Sequence, residues 1–325
     1  MDGLLTRLSP ILHLTRITTA FAVIGNVWFV ILWTRVSPQE SQRAASELLE
    51  RPLWFVLGGG TIYALGLFMY GMALNDTLDL RRDRALHPER PLPSGRVTVD
   101  TAARLVALTL MLSVLGATTL GTTAVLVGLL TAGAILFYNA GAKYVPSIGL
   151  VALGLIYAAH MVAVNMKLIF VWPVWLVMTH ALLLGAVTHR LGRKRPRLSG
   201  AMLIAAAIGW AFWSGVLLWT GQRRGGWWPD WVHPEAAIGP AVLALAFVVF
   251  AITKARRAGS GPRAAEKLHR YGMLWLTMYA TAWLLGQGAM TEAMILGALT
   301  IVGFLGMTVL REVYGLLENP VGYRR

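Results

Sequence analysis

The chain has 325 residues, 56% of them hydrophobic and only 14% charged, with a net charge of +14 and no cysteine. A positive mean hydropathy at that length excludes an ordinary soluble domain. The lack of cysteine excludes disulfides, thiolate metal centres and a cysteine nucleophile.

Apolar runs near the about 17 to 25 residues needed to cross a hydrocarbon layer recur at 15–34, 53–74, 101–120, 122–138, 148–165, 168–187, 201–220, 236–253, 272–289 and 293–310. The first is too long, and too poor in a small-residue cleavage signal, for a removed secretory peptide. With no long linker and no fixed-period repeat, residues 1–325 form a single membrane domain. The expected fold is all-α, a polytopic bundle of nine to ten membrane helices. The longest polar stretches are 75–100, 221–235 and 254–271. Within the second, Gly225 to Trp231 reads as an interfacial aromatic anchor. Gly58, Gly59, Gly60, Gly149 and Gly154 are expected to let helices approach closely.

Basic residues divide unevenly between alternate loops. With the N-terminus inside, that side collects 23 of the 29 Lys and Arg, from Arg7 and Arg16 through the loops at 75–104, 189–199 and 254–270 to Arg324 and Arg325. The positive-inside rule then places both termini and the basic loops in the cytoplasm, in a cell inner (plasma) membrane. The basic excess is topological, and no soluble basic segment is long enough to bind nucleic acid. No His/Glu pair has metalloprotease spacing, and no Gly-rich phosphate loop precedes a strand. Four polar residues in spans, Asn26, His160, Asn165 and His180, are costly in lipid and are expected to face the bundle interior, the histidines in helix-to-helix hydrogen bonds.

The acids are concentrated. Of fifteen Asp and Glu, five (Asp76, Asp79, Asp83, Glu89 and Asp100) follow the second span, and none lies between Asp100 and Asp230. If the second helix continues through Asn75 to Asp83, then at about 100° per residue Asn75, Asp76, Asp79 and Asp83 project from one face. Carboxylates that close repel unless a cation neutralises them, and hard oxygen donors favour Mg2+ shared with substrate phosphates. Arg82 lies on the same side of the wheel, in reach of a phosphate oxygen. Three prolines, Pro88, Pro91 and Pro93, then stop the helix and stiffen a loop able to hold Arg90 over the site.

Asn75-Asp76-x-x-Asp79-x-x-x-Asp83 followed by Arg90-Pro91-Leu92-Pro93-Ser94-Gly95 resembles the first aspartate-rich motif of the UbiA superfamily of intramembrane prenyltransferases. Tyr138 to Lys143 resembles that family's Tyr-x-x-x-x-Lys stretch at the end of the fourth helix. The resemblance implies a bundle around a lipid-open cavity in which Mg2+ and Asn75, Asp76, Asp79 and Asp83 hold an isoprenyl diphosphate donor. Lys143 would contact that diphosphate and Tyr138 would line the cavity, with membrane lipids around and a lipophilic acceptor receiving the isoprenyl group. Asp76, Asp79, Asp83 and Lys143 are the expected catalytic residues. Asn75, Arg82, Arg90, Tyr138, Lys143 and Arg190 are the expected diphosphate contacts.

The chain departs from the family pattern after the sixth span. A second aspartate-rich motif belongs there, but residues 188–197 read Thr-His-Arg-Leu-Gly-Arg-Lys-Arg-Pro-Arg, with no carboxylate. Two functions fit the sequence: a prenyltransferase whose second metal is replaced by cations such as Lys143, Arg190 and Arg193, or a diphosphate- or lipid-binding and transport protein that kept the pocket without the catalysis.

Overall fold

The computed structural model describes residues 19–257 and 261–318, and all regular structure among them is helical. Ten long helices follow one another: α1 (Phe21–Val36), α2 (Leu53–Leu78), α3 (Val99–Thr118), α4 (Thr122–Ala140), α5 (Pro146–Val162), α6 (Trp172–Leu191), α7 (Gly200–Gly225), α8 (Ile238–Arg257), α9 (Pro262–Gly286) and α10 (Met290–Glu318). Residues 15–18 of the first expected span, the N-terminal Arg7 and Arg16, and Arg324 and Arg325 lie outside the described residues. Local chemistry starts the helices. The Thr98 hydroxyl accepts the Thr101 N–H at the start of α3, Ser199 does the same for Met202 at α7, and Pro146, Pro173 and Pro262 sit in the first turns of α5, α6 and α9. At that position a missing N–H costs nothing.

Seven of these helices (α2, α3, α4, α6, α7, α8 and α10) are long and apolar enough to cross a membrane, and α1 and α5 are shorter apolar helices. The remaining one, α9, differs from expectation. It starts at Pro262, ten residues before the apolar run, so Arg263, Glu266, Lys267 and Arg270 lie on helix where a loop was expected. Their N-terminal turns continue the helix because an amphipathic stretch without prolines after the first position satisfies its backbone internally. Large apolar side chains such as Leu108, Met111 and Leu115 on α3 and Ile204, Ile208 and Phe212 on α7 point outward. Such faces belong against lipid rather than water, and the chain is a multi-pass membrane protein.

The interior is organised around α1, buried along nearly its whole length and packed by α2, α5, α9 and α10. The closest pair is α2 with α3. A Cβ at Gly66 would sit 2.5–2.8 Å from the backbone of Ser113 and Thr109, so only glycine permits that approach. The expectation that small residues let helices approach closely holds at Gly59, Gly60 and Gly154, whereas Gly149 abuts Ala142 and Lys143 in the turn before its own helix and Gly58 faces open space.

Interior polar residues divide into two groups. His180 Nε2 donates to the Gly272 carbonyl at 2.9 Å, which leaves Nδ1 to accept from the Tyr279 hydroxyl at 3.1 Å, and the Asn165 amide reaches the Thr34 hydroxyl at 3.3 Å. The His180 contacts are the interhelical bonds expected of the histidines, whereas Asn165 lies just beyond the end of α5 and bonds from there. His160 departs from the expectation: it is buried but stacks flat on Tyr63, ring centroids 5.1 Å apart, with neither ring nitrogen hydrogen-bonded. Asn26 is likewise buried without a side-chain partner. Stacking a neutral imidazole on a phenol ring recovers dispersion where no donor or acceptor is in reach.

The end of the bundle formed by the α1–α2, α5–α6 and α7–α8 connections is closed by aromatic rings. Phe170 stacks on Trp33 at 5.2 Å and meets Trp228 and Trp283 edge-on. Trp231 packs on Trp33 and Phe170. Gly225 to Trp231, read from sequence as an interfacial anchor, also contributes rings to this cluster. Of its three tryptophans only Trp227 is largely exposed, while Trp228 and Trp231 are half-buried against the ring cluster, which offers them aromatic contact area. The turn carrying Phe170 is fixed by Glu40, whose carboxylate accepts the N–H groups of Ile169 (2.8 Å) and Phe170 (2.9 Å).

Candidate functional site

At the other end, α2 runs into the acid-rich segment. It ends at Leu78, and a short helix, Leu80–Leu86, continues after a single turn residue, Asp79. Asp79 keeps near-helical torsions (φ −83°, ψ 0°). Backbone bonds from Asp79 N to Asn75 O, Asp83 N to Asp79 O and His87 N to Asp83 O preserve the four-residue step. Asn75, Asp79 and Asp83 therefore stay on one face. Burial agrees: Asp76, Asp79 and Asp83 are all buried, while Leu78, Arg81 and Arg84 are exposed.

The prolines act as expected. The short helix ends at Leu86, and the loop folds back so that Val97 N donates to Pro91 O and Arg96 Nη2 to Glu89 O. Gly95, at φ +77°, provides the backward turn. Leu92 and Val97 bury against Ala73 and Ala102, pinning the loop between α2 and α3. In that position Arg90 Nη1 reaches Asp83 Oδ2 at 2.6 Å.

A second cation comes from the α4–α5 connection. The 3-10 turn Ala142–Tyr144 brings Lys143 Nζ to 2.8 Å from Asp79 Oδ2 and 3.0 Å from Asn75 Oδ1. Both charged side chains are about nine-tenths buried, 11% exposed each, so little solvent screens the pair. The Tyr144 hydroxyl donates to the other Asp79 oxygen at 2.7 Å. Burial, and after it the Asp79 carboxylate that accepts its hydrogen bond, raises the Tyr144 phenol above its ordinary range, which keeps it a donor at neutral pH. The Asn75 amide nitrogen donates to Asp76 Oδ1 at 3.1 Å. Mutual repulsion among the acids is thus offset within the chain, through Lys143 and Arg90.

The basic segment 188–199 lies against this site. Arg82 Nη2 donates to the Arg195 carbonyl at 3.4 Å, and its guanidinium stands 6.0 Å from the Tyr144 ring centroid. His189 Nε2 donates to the Pro196 carbonyl at 2.8 Å, folding the segment on itself. Arg190, Arg193 and Arg195 are exposed. Of the sequence-derived residues, the fold brings Asn75, Asp76, Asp79, Asp83, Arg90 and Lys143 together and places Arg82 at their edge. Tyr138 is half-buried on α4, and Arg190 is exposed at the end of α6. Tyr144 was missed. Its only sequence signal is adjacency to Lys143.

Two oxygens from different side chains, Asn75 Oδ1 and Asp79 Oδ2, converge on one cationic nitrogen. That convergence fits one hard divalent ion, which needs only one or two protein carboxylates when phosphates and water complete its shell. Among the described residues no three His, Asp or Glu side chains are gathered closely enough to hold a metal by themselves. A second metal does not fit, because residues 188–199 supply no carboxylate.

An all-helical membrane bundle with a buried acid face, neutralised by loop cations at one end, defines a class of intramembrane proteins. Residues 44–191 match the model of the UbiA prenyltransferase family, which supports the resemblance to the UbiA superfamily. In fold it is similar to a digeranylgeranylglyceryl phosphate synthase, with 17% identity, 88% of this chain and 99% of that one covered, and a TM-score of 0.50. A UbiA homologue from Archaeoglobus fulgidus bound to DMAPP and Mg2+ aligns at 13% identity over 92% of this chain and 99% of that one, TM-score 0.46. A ligand-free UbiA homologue from Aeropyrum pernix K1 aligns at 20% over 91% and 98%, TM-score 0.42. Comparison with curated protein sequences gives no match.

Proposed function

We propose that this membrane protein transfers an isoprenyl group from a magnesium-bound isoprenyl diphosphate to a lipophilic acceptor. The observation that carries the reading is the convergence of Asn75 and Asp79 on the cation position held by Lys143 Nζ. Bound Mg2+ would neutralise charge on the departing diphosphate. Asn75, Asp76, Asp79 and Asp83 are the residues that would hold it.

The chain's own residues do the rest. Lys143 and Arg90, both already inside the site, exchange a carboxylate for phosphate oxygens, and Arg82 and Arg190 approach the same group from its rim. Charge-assisted contacts of this kind are stronger than neutral ones. Tyr138 lines the path of the isoprenoid. Apolar packing around the site excludes water from the allylic carbon as its bond to oxygen breaks. The acceptor then forms the new bond to carbon and releases a proton, while the diphosphate leaves.

Purified full-length protein incubated with labelled farnesyl or geranylgeranyl diphosphate, Mg2+ and a lipid extract should release diphosphate and move the label to lipid. Binding without turnover would overturn the enzyme reading. It would favour the second reading, a binding or transport protein, for which the carboxylate-free segment 188–199 speaks.

The same proposal puts the site end of the bundle in the cytoplasm of a cell inner membrane, because the loops at that end carry the basic excess. In a chain without cysteines, cysteines introduced at Thr77 and Ser199 should react with an impermeant reagent only from the cytoplasmic face. Labelling from outside would reverse the orientation.

A further inference from the structure

We infer that Lys143 is a built-in counter-cation that keeps free divalent metal off the acid face and yields its place only when metal and diphosphate arrive together. The inference rests on the proposed function and adds an order of binding to it. Lys143 Nζ occupies the point where Asn75 Oδ1 and Asp79 Oδ2 converge, at 3.0 and 2.8 Å. The neighbouring oxygens are engaged too: Asp79 Oδ1 by Tyr144, Asp76 Oδ1 by Asn75 and Asp83 Oδ2 by Arg90.

A lone divalent ion entering here would have to displace the ammonium and then sit beside it and the Arg90 guanidinium. With the Lys143 and Asp79 side chains mostly buried, that like-charge encounter is weakly screened. A diphosphate changes the balance. It brings negative charge for both cations, so Lys143 swings from carboxylate to phosphate while the vacated oxygens meet the metal. Lysine suits the task, since its flexible stem and three rotatable donors let one ammonium serve either partner.

Equilibrium dialysis of the full-length protein in detergent against Mn2+, an ion of the same oxygen preference, tests this without any turnover. The wild type should take up Mn2+ at least about tenfold more tightly with inorganic pyrophosphate than without it. Lys143→Met should bind Mn2+ alone at least about tenfold more tightly than the wild type does alone, and Lys143→Arg, which keeps the cation, should not. The inference is overturned if the wild type binds Mn2+ equally with and without pyrophosphate, a result that needs no variant to fold. It is also overturned if Lys143→Met, monodisperse by gel filtration, gains nothing while the wild type still responds to pyrophosphate; the proposed function then stands. No uptake by the wild type even with pyrophosphate removes the proposed donor site itself, and this inference with it.

Discussion

Alanine at both Asp76 and Asp79 is expected to abolish the magnesium response of isoprenyl diphosphate binding. In the parent protein, Mg2+ should tighten binding by about a hundredfold or more, because two contacts to charged groups contribute on the order of 1.5–3 kcal/mol each. The double variant removes the carboxylates that would carry that increment but leaves Lys143 and Arg90 in place. Freed from Asp79, Lys143 still reaches a phosphate, so binding in chelator should change little. The measurement is the dissociation constant of farnesyl diphosphate in Mg2+ and in chelator for both proteins. A double variant that binds as well as the parent, with the same response to chelator, would place the site elsewhere.

The second large effect is at the opposite end. Glu40 is fully buried, and its carboxylate takes the Ile169 and Phe170 N–H groups that hold Phe170 in the aromatic plug. Glu40→Ala strands both donors where water does not reach, at roughly 1–3 kcal/mol each, so a loss of about 2–6 kcal/mol and a clearly lower unfolding temperature in detergent are expected. Burial raises the Glu40 carboxyl above its usual range, while the Phe170 and Ile169 N–H groups, and Arg43 beside it, pull it back down. Because the folded state holds the proton more tightly than the unfolded chain, stability falls as pH rises from the ordinary value of 4.5 through the raised one, and is level above it. Glu40→Gln keeps an acceptor oxygen, should lose less stability than the alanine variant, and should flatten that slope. An unchanged melting temperature for Glu40→Ala would remove the proposed role of this cap.

Much of the site was legible before any fold was known. The Asn75 to Asp83 spacing implies a shared face only if the helix continues, and the backbone bonds across Asp79 show that it does. The Pro88 to Pro93 run likewise announced a stiff loop, and Arg90 is held over the acids by it. Tyr144 could not be found in the same way, because its role depends on a 3-10 turn that aims it at Asp79 from more than sixty residues away. The ring contacts of Trp228 and Trp231 were equally hidden. A tryptophan near a span end reads only as a headgroup anchor unless Phe170 and Trp33 are known to wait behind it.

Hydropathy, the division of basic residues and the acid cluster by themselves determined that this is a multi-span helical membrane protein with its polar chemistry near residues 75–96, because lipid allows spanning helices few other patterns. Only the tertiary structure decided how the acids are neutralised. Which cation faces which carboxylate depends on where separate loops meet, and no local spacing encodes the meeting of Lys143 with Asn75 and Asp79 across the bundle end.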